Sequence, residues 1–221
     1  MSSIIIKNKL FFTLCLVFIG FCGFQIVLYP KGNLVLWCCS LRTFESDFIF
    51  KYITFLGDGW AFVAVSLFLL FFVKARWGII SIFTYAFSGL LAQFFKKIVF
   101  GPLPRPLKYF EGIAELVPVE GMHNAFSHSF PSGHTTTAFA LFALIAFFYN
   151  TNKFVAVACF IMAALTAFSR IYLAQHFVED VLAGTILGLV CCTLFYFWFE
   201  VKQVGFFKVP DLNRPLLKLK R

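Results

Sequence analysis

The chain has 221 residues, of which 61% are hydrophobic and only 13% are charged, and its formal net charge is +9. Since an ordinary soluble domain carries about 25% charged residues, this composition excludes that class and indicates a membrane protein. The positive charge does not favour nucleic-acid binding, because no basic stripe is interleaved with exposed aromatic residues. Anionic lipid headgroups are the expected partners of the basic residues.

Six apolar runs are candidates for membrane-spanning helices, because a helix needs about 20 mainly apolar residues to cross the hydrocarbon core. In chain order these runs cover residues 10–29, 52–73, 77–95, 134–149, 154–173 and 177–199. The first lacks a small-residue cleavage site and is interpreted as an uncleaved helix. The alternation of a β-barrel is absent, so we predict one all-α domain, 1–221, built as a bundle of six transmembrane helices.

The distribution of lysine and arginine predicts the orientation of the bundle. Eleven of the 19 basic residues fall on the side that contains both termini, including a basic tail at about 201–221, and eight fall on the other side. Both termini are therefore predicted to be cytoplasmic in a multi-pass protein of the cell membrane. The two long loops, 30–51 and the proline-rich 97–133, then lie on the extracytoplasmic side, where long ordered loops tend to carry function.

Polar residues gather at the predicted outer ends of four separate segments. Ionisable groups at membrane depth are costly, so they are candidates for a functional site by default. The residues are Lys96, Lys97, Arg105, Ser132, Gly133, His134, Arg170, His176 and Asp180. Each alone has an ordinary explanation, such as a helix cap or a membrane-edge anchor, but their convergence on one membrane face favours a site.

The chemistry of these residues fits a phosphoryl group. Ser132 can cap a helix whose free N–H groups attract an anion, and Gly133 allows that anion to approach the backbone. Arginine can engage two phosphate oxygens at once. His176 and Asp180 are four residues apart and share a helix face, so the carboxylate could hold one ring nitrogen and leave the other to attack. His134 could protonate the leaving oxygen.

The same residues match the motifs of a known family. Pro131-Ser132-Gly133-His134, followed by Ser169-Arg170, five residues, His176, three residues and Asp180, resembles the second and third motifs of the phosphatidic acid phosphatase type 2 superfamily. These are membrane lipid phosphatases that share their core with vanadium haloperoxidases. The resemblance covers a catalytic core at about 94–199. The six-span layout is also similar to that of the family.

The first family motif departs from the usual pattern. The family has a lysine, six residues and then Arg-Pro, whereas Arg105-Pro106 is preceded by Lys97 with seven residues between and by Lys96 with eight. Lys97 is preferred as the phosphate-binding lysine because its spacing is closer to that of the family, and Lys96 remains the alternative.

The resemblance implies a mechanism. His176 would attack phosphorus to form a phosphohistidine, Asp180 would orient His176, and His134 would protonate the leaving group and then activate water. The phosphate oxygens would be stabilised by Lys97, Arg105, Ser132, Gly133 and Arg170. No metal or other cofactor is expected, because cationic side chains take that role; the seven cysteines include no CxxC pair that would suggest zinc.

The implied activity is hydrolysis of a lipid phosphomonoester or pyrophosphate at the membrane. The candidate substrates are undecaprenyl pyrophosphate, phosphatidic acid, phosphatidylglycerol phosphate and lipid A phosphate, and no obligate protein partner is indicated. Two alternatives stay open: a lipid phosphotransferase that uses the same phosphohistidine, and a non-enzymatic lipid carrier. Three further polar residues are interpreted as structural: His123 and His128 as solvated loop residues, and Asp58 as a helix-start residue.

Overall fold

The computed structural model describes residues 1–123 and 125–217, and within these ranges all regular secondary structure is helical. The last residues of the predicted tail, 218–221, lie outside the described residues. The ten α-helices of the described chain are Ser2–Lys7 (α1), Lys9–Leu28 (α2), Asn33–Ser40 (α3), Phe44–Ile53 (α4), Gly59–Phe68 (α5), Ala75–Phe94 (α6), Pro106–Tyr109 (α7), Gly133–Phe148 (α8), Lys153–Tyr172 (α9) and Val178–Phe195 (α10). Wider π-helical turns extend α5, α6 and α10.

Among the described residues, four helices are long and apolar enough to cross a membrane, which confirms a helical membrane protein. They are Lys9–Leu28, Ala75–Val99, Lys153–Tyr172 and Val178–Val201. The pair Phe44–Gly57 and Gly59–Val73 makes a fifth span if the 56° bend between its halves is accepted within one crossing. The predicted count of six is not confirmed, because α8 has 16 residues and is about 24 Å long.

The predicted second span, 52–73, is not one continuous helix. The chain bends at Asp58, which lies in extended conformation between a 3₁₀ turn and α5. Gly57 makes this bend possible because it packs directly on the start of α8. A Cβ atom there would lie 2.7 Å from the carbonyl oxygen of His134. The bend therefore brings the start of α5 against the predicted catalytic histidine.

Helix α8 forms the centre of the bundle and packs against α6, α9 and α10. Eleven of its residues are buried, all of them apolar or threonine. Two glycines of α10 allow a close approach, since a Cβ on Gly184 would lie 2.6 Å from the Ser132 carbonyl oxygen and one on Gly188 would lie 2.5 Å from that of Thr136. This contact sets the positions of the second and third sequence motifs relative to each other.

The outer surface of the bundle is strongly apolar, as expected for helices in contact with lipid. Large hydrophobic side chains such as Leu16, Val27, Leu90 and Phe154 are exposed. Residues 205–217 cover the end of the bundle that carries the chain termini, where Arg214 accepts a hydrogen bond from the backbone of Ala75 at 3.0 Å. The polar site lies at the opposite end.

Candidate active site

A cavity of about 530 Å³ lies at the end of the bundle where α8 begins and α9 ends. Its wall is formed by segments that are far apart in the sequence. Five of the eight predicted site residues line it, namely Arg105, Gly133, His134, Arg170 and His176. Ser132 and Asp180 are buried directly behind this wall, and Lys97 does not reach it.

His176 and Asp180 form the predicted pair. Nδ1 of His176 lies 3.2 Å from Oδ2 of Asp180, and the same oxygen accepts a hydrogen bond from the backbone N–H of Phe177 at 2.9 Å. Because the carboxylate engages Nδ1, the second ring nitrogen, Nε2, is the one available for attack. Burial, followed by the charges of Arg105, Arg170 and Lys96, lowers the pKa of His176 well below its usual value. The imidazole is therefore neutral at pH 7, as a nucleophile requires.

The Ser132-Gly133-His134 turn begins α8 as the sequence predicts. The Ser132 hydroxyl oxygen accepts hydrogen bonds from the backbone N–H of Thr135 at 3.4 Å and from its hydroxyl at 2.9 Å. The backbone N–H of Ser132 donates to the carbonyl oxygen of Asp180 at 3.0 Å. Ser132 therefore acts as a helix cap, while Gly133 and His134 present the start of the helix to the cavity.

Two arginines supply positive charge to the cavity. Arg105 is held by the carbonyl oxygen of Ser127 at 3.0 Å and by the Gln175 side chain at 3.2 Å, and burial lowers its pKa. Arg170 is buried and donates to Thr54 at 2.6 Å. Its Nε is buried and has no hydrogen-bond partner among the described residues.

The structure places Lys96, and not the preferred Lys97, in the wall of the cavity. Lys96, not Lys97, lines the cavity and is only 8% exposed, whereas Lys97 is exposed on the surface. The cause is the π-helical turn Phe95–Val99 that ends α6, in which Phe100 donates to the Phe95 carbonyl oxygen at 2.9 Å. This wider turn changes the direction of the side chains relative to an α-helix. Motif spacing does not reveal such a turn.

Three residues that support the site were not found from the sequence. Ser129 is buried, its hydroxyl donates to Oδ2 of Asp180, and it lies 3.5 Å from Nδ1 of His176. Thr54 and Gln175 hold the two arginines. Thr54 is 116 residues from Arg170, so no local pattern connects them. The one available signal for Ser129 is its place immediately before the Phe130-Pro131-Ser132 segment.

Of the three polar residues interpreted as structural, Asp58 and His123 line the cavity and His128 does not. Asp58 does precede α5, as expected, but it also lines the cavity. His123 is exposed and lines the outer part of the cavity, whereas His128 contacts Ser127 and does not line it. Within the described ranges, no group of three or more His, Cys, Asp or Glu residues could hold a metal ion. The expectation of metal-free chemistry remains a prediction.

Comparison with known proteins agrees with the residue pattern. The model of the PAP2 superfamily matches residues 77–203. Lipid A 1-phosphatase of Rhizobium johnstonii is 37% identical over 106 residues, which cover 48% of this chain and 41% of that protein. Phosphatidylglycerophosphatase B of Bacillus subtilis is 29% identical over 154 residues, which cover 66% and 64% of the two chains. The matched region thus spans about two fifths of the length of the Rhizobium relative.

Solved structures share the fold. The crystal structure of Aquifex aeolicus LpxE matches with a TM-score of 0.63 and 24% identity, covering 75% of this chain and 93% of that one. The transmembrane PAP2 type phosphatidylglycerolphosphate phosphatase from Bacillus subtilis matches with the same TM-score and identity, covering 90% and 98%. Because the family model matches more than half of the chain and includes every residue of the cavity motifs, the chain belongs to the PAP2 superfamily.

Proposed function

We propose that the protein is an integral membrane phosphatase that hydrolyses a lipid phosphomonoester or pyrophosphate through a phosphohistidine. One observation carries the proposal. A neutral histidine, His176, is held by a carboxylate at one ring nitrogen and lines a cavity together with Lys96, Arg105 and Arg170. Such an arrangement combines a nucleophile with the cations that stabilise the charged oxygens of a phosphoryl group in transfer.

The first step transfers the phosphoryl group to the enzyme. Nε2 of His176 forms a bond to phosphorus while the bond between phosphorus and the leaving oxygen breaks. His134, on the same cavity wall, supplies a proton to that oxygen. Lys96, Arg105 and Arg170 neutralise the three remaining oxygens, and the N–H groups at the start of α8 add to this stabilisation.

The second step releases phosphate. His134 removes a proton from water, the water oxygen attacks phosphorus, and the bond to His176 breaks. Inorganic phosphate leaves and the imidazole returns to its neutral state. Asp180 stabilises the positive charge that His176 carries in the intermediate, and its contact with Nδ1 maintains the orientation of the ring throughout.

We further infer six crossings of the cell membrane, with both termini cytoplasmic and the site extracytoplasmic. The bent pair α4–α5 counts as one span. Helix α8 counts as another, because its surface is buried among other helices and need not match the bilayer thickness itself. The excess of basic residues on the side of the termini supports this orientation.

Purified protein in detergent, assayed for free phosphate against a panel of the four candidate lipid phosphates, tests the proposal. We expect release from at least one lipid, loss of release in His176→Ala, and near-normal release in the matched control His128→Ala. Release should survive EDTA and be blocked by vanadate. Retained phosphate release in His176→Ala would refute the phosphohistidine mechanism, whereas no release from any lipid by the wild type would refute the phosphatase assignment and favour a carrier.

An added alcohol acceptor distinguishes hydrolysis from phosphotransfer in the same assay. A hydrolase gives free phosphate as its main product, whereas a phosphotransferase gives the phosphorylated alcohol. Strict dependence of turnover on added magnesium would contradict the metal-free mechanism.

A further inference from the structure

A second cavity, of about 550 Å³, adjoins the catalytic cavity and lies between α5, α6 and α8. The two cavities share four lining residues, which are Asp58, Gln93, Gly133 and His134. In the proposed mechanism His134 protonates the leaving oxygen. The part of the substrate attached to that oxygen therefore begins at the junction of the two cavities and extends into the second one.

The second cavity is lined by polar as well as apolar residues. Gly57, Gly59 and Gly89 line it, and so do several polar side chains. The hydroxyls of Thr136 and Thr137 already donate to carbonyl oxygens of the preceding turn at 2.9 and 3.0 Å. Asp58 and Gln93 are different, because neither side chain hydrogen-bonds to another residue within the described ranges.

The chemistry of Asp58 limits what can lie beside it. An ionised carboxylate only accepts hydrogen bonds, so it is complementary to hydroxyl or amide N–H donors. An anionic leaving group placed there would be repelled. A prenyl diphosphate has such a leaving group, namely a prenyl monophosphate. A phosphate ester of a sugar, such as the 1-phosphate of lipid A, instead leaves an uncharged sugar hydroxyl that lies close to further hydroxyl and amide donors.

We propose that Asp58 and Gln93 form a subsite for the hydroxyl-bearing leaving group, so that the enzyme prefers phosphomonoesters of polyol lipids to prenyl diphosphates. This inference rests on the proposed phosphatase function and names the substrate class of that same site. The subsite lies at the bend between α4 and α5, where the packing of Gly57 on α8 fixes Asp58 next to His134.

Asp58 also interacts electrostatically with Arg170, which gives a competing explanation of its position. The two explanations predict different kinetics. If Asp58 only supported Arg170, its neutralisation would change the handling of the phosphate itself and would affect all substrates by a similar factor. If Asp58 binds the leaving group, its neutralisation changes the ratio between substrates.

The experiment compares kcat/KM for lipid A carrying a 1-phosphate and for undecaprenyl diphosphate, in one detergent, for the wild type and Asp58→Asn. We expect the wild type to favour lipid A and the variant to lower the ratio of the two kcat/KM values by about tenfold or more, as expected for loss of a hydrogen bond to a charged group. Asp211→Asn, the same change in an exposed residue at the opposite end of the bundle, should leave the ratio unchanged.

A second variant is needed because Asp58→Asn could misfold at the bend between α4 and α5. Gln93 is exposed, so Gln93→Leu should fold normally and lower the same ratio. An unchanged ratio in both variants, or a wild type that favours undecaprenyl diphosphate, would overturn the subsite while leaving the phosphatase function intact. A wild type that releases no phosphate from any lipid would instead refute the proposed function, and the subsite with it.

Discussion

Ser129 offers a sharp test of how the nucleophile is oriented. Its hydroxyl donates to Oδ2 of Asp180, the same oxygen that contacts Nδ1 of His176, and the side chain is buried. It does not line the cavity. Ser129→Ala should therefore reduce the precision with which His176 is presented to phosphorus, and it should have little effect on the binding of the phosphate.

The expected size follows from the hydrogen bonds that remain. Losing one hydrogen bond to a charged group costs about 1.5–3 kcal/mol, or roughly 10- to 100-fold in rate. The Phe177 backbone N–H still donates to the same carboxylate oxygen at 2.9 Å, so the lower end of this range applies. We expect kcat to fall about tenfold in Ser129→Ala with KM nearly unchanged, and Ser129→Thr, which keeps the hydroxyl, to recover most of the activity.

Steady-state phosphate release gives kcat and KM separately and so checks this prediction. Ser127→Ala is the matched control, because that exposed side chain hydrogen-bonds to His128 outside the cavity lining, and the backbone carbonyl that holds Arg105 is retained. An unchanged kcat in Ser129→Ala, or a loss that appears only in KM, would refute the positioning role.

Three further predictions concern acidity, the lysine and helix packing. Because its surroundings lower the pKa of His176, the nucleophile stays neutral as pH falls, so kcat/KM should not decrease as the pH is lowered through about 6.5; a decrease on that acidic side, centred at or above about 6.5, would contradict the lowered pKa of His176. Lys96→Ala should lower kcat/KM about 100-fold while Lys97→Ala stays within about twofold of the wild type, and the reverse result would restore the preference for Lys97. Gly188→Ala should lower the melting temperature in detergent, because its Cβ would meet backbone, at a cost of about 1–3 kcal/mol; Gly20→Ala, with open space around it, should not, and equal melting temperatures would refute the close packing.

Hydropathy predicts the long helices of this protein well, because the bilayer imposes a length and a composition on each. It predicts the bent pair α4–α5 less well, since the bend at Asp58 depends on how Gly57 packs against a helix about 75 residues further along the chain. Helix α8 is shorter than a usual span for a related reason. It is buried among other helices, so protein contacts decide its length more than lipid does.

In the candidate site, too, some residues could be predicted from the sequence and others could not. Residues that carry chemistry lie at characteristic spacings, so Arg105, His134, Arg170 and His176 could be predicted from the sequence and are brought to one cavity. Residues that hold them in place carry no such pattern, because their contacts join distant segments. Which of the two neighbouring lysines lines the cavity depends on a single π-helical turn, and the local backbone hydrogen bonds of that turn are not encoded in the motif spacing.

The backbone hydrogen bond from Ser132 to Asp180, together with the glycine contacts between α8 and α10, makes the two histidines part of one stiff unit. We therefore expect a lipid to enter the site without separation of α8 and α10, because separating these helices would also disrupt the relative positions of His134 and His176.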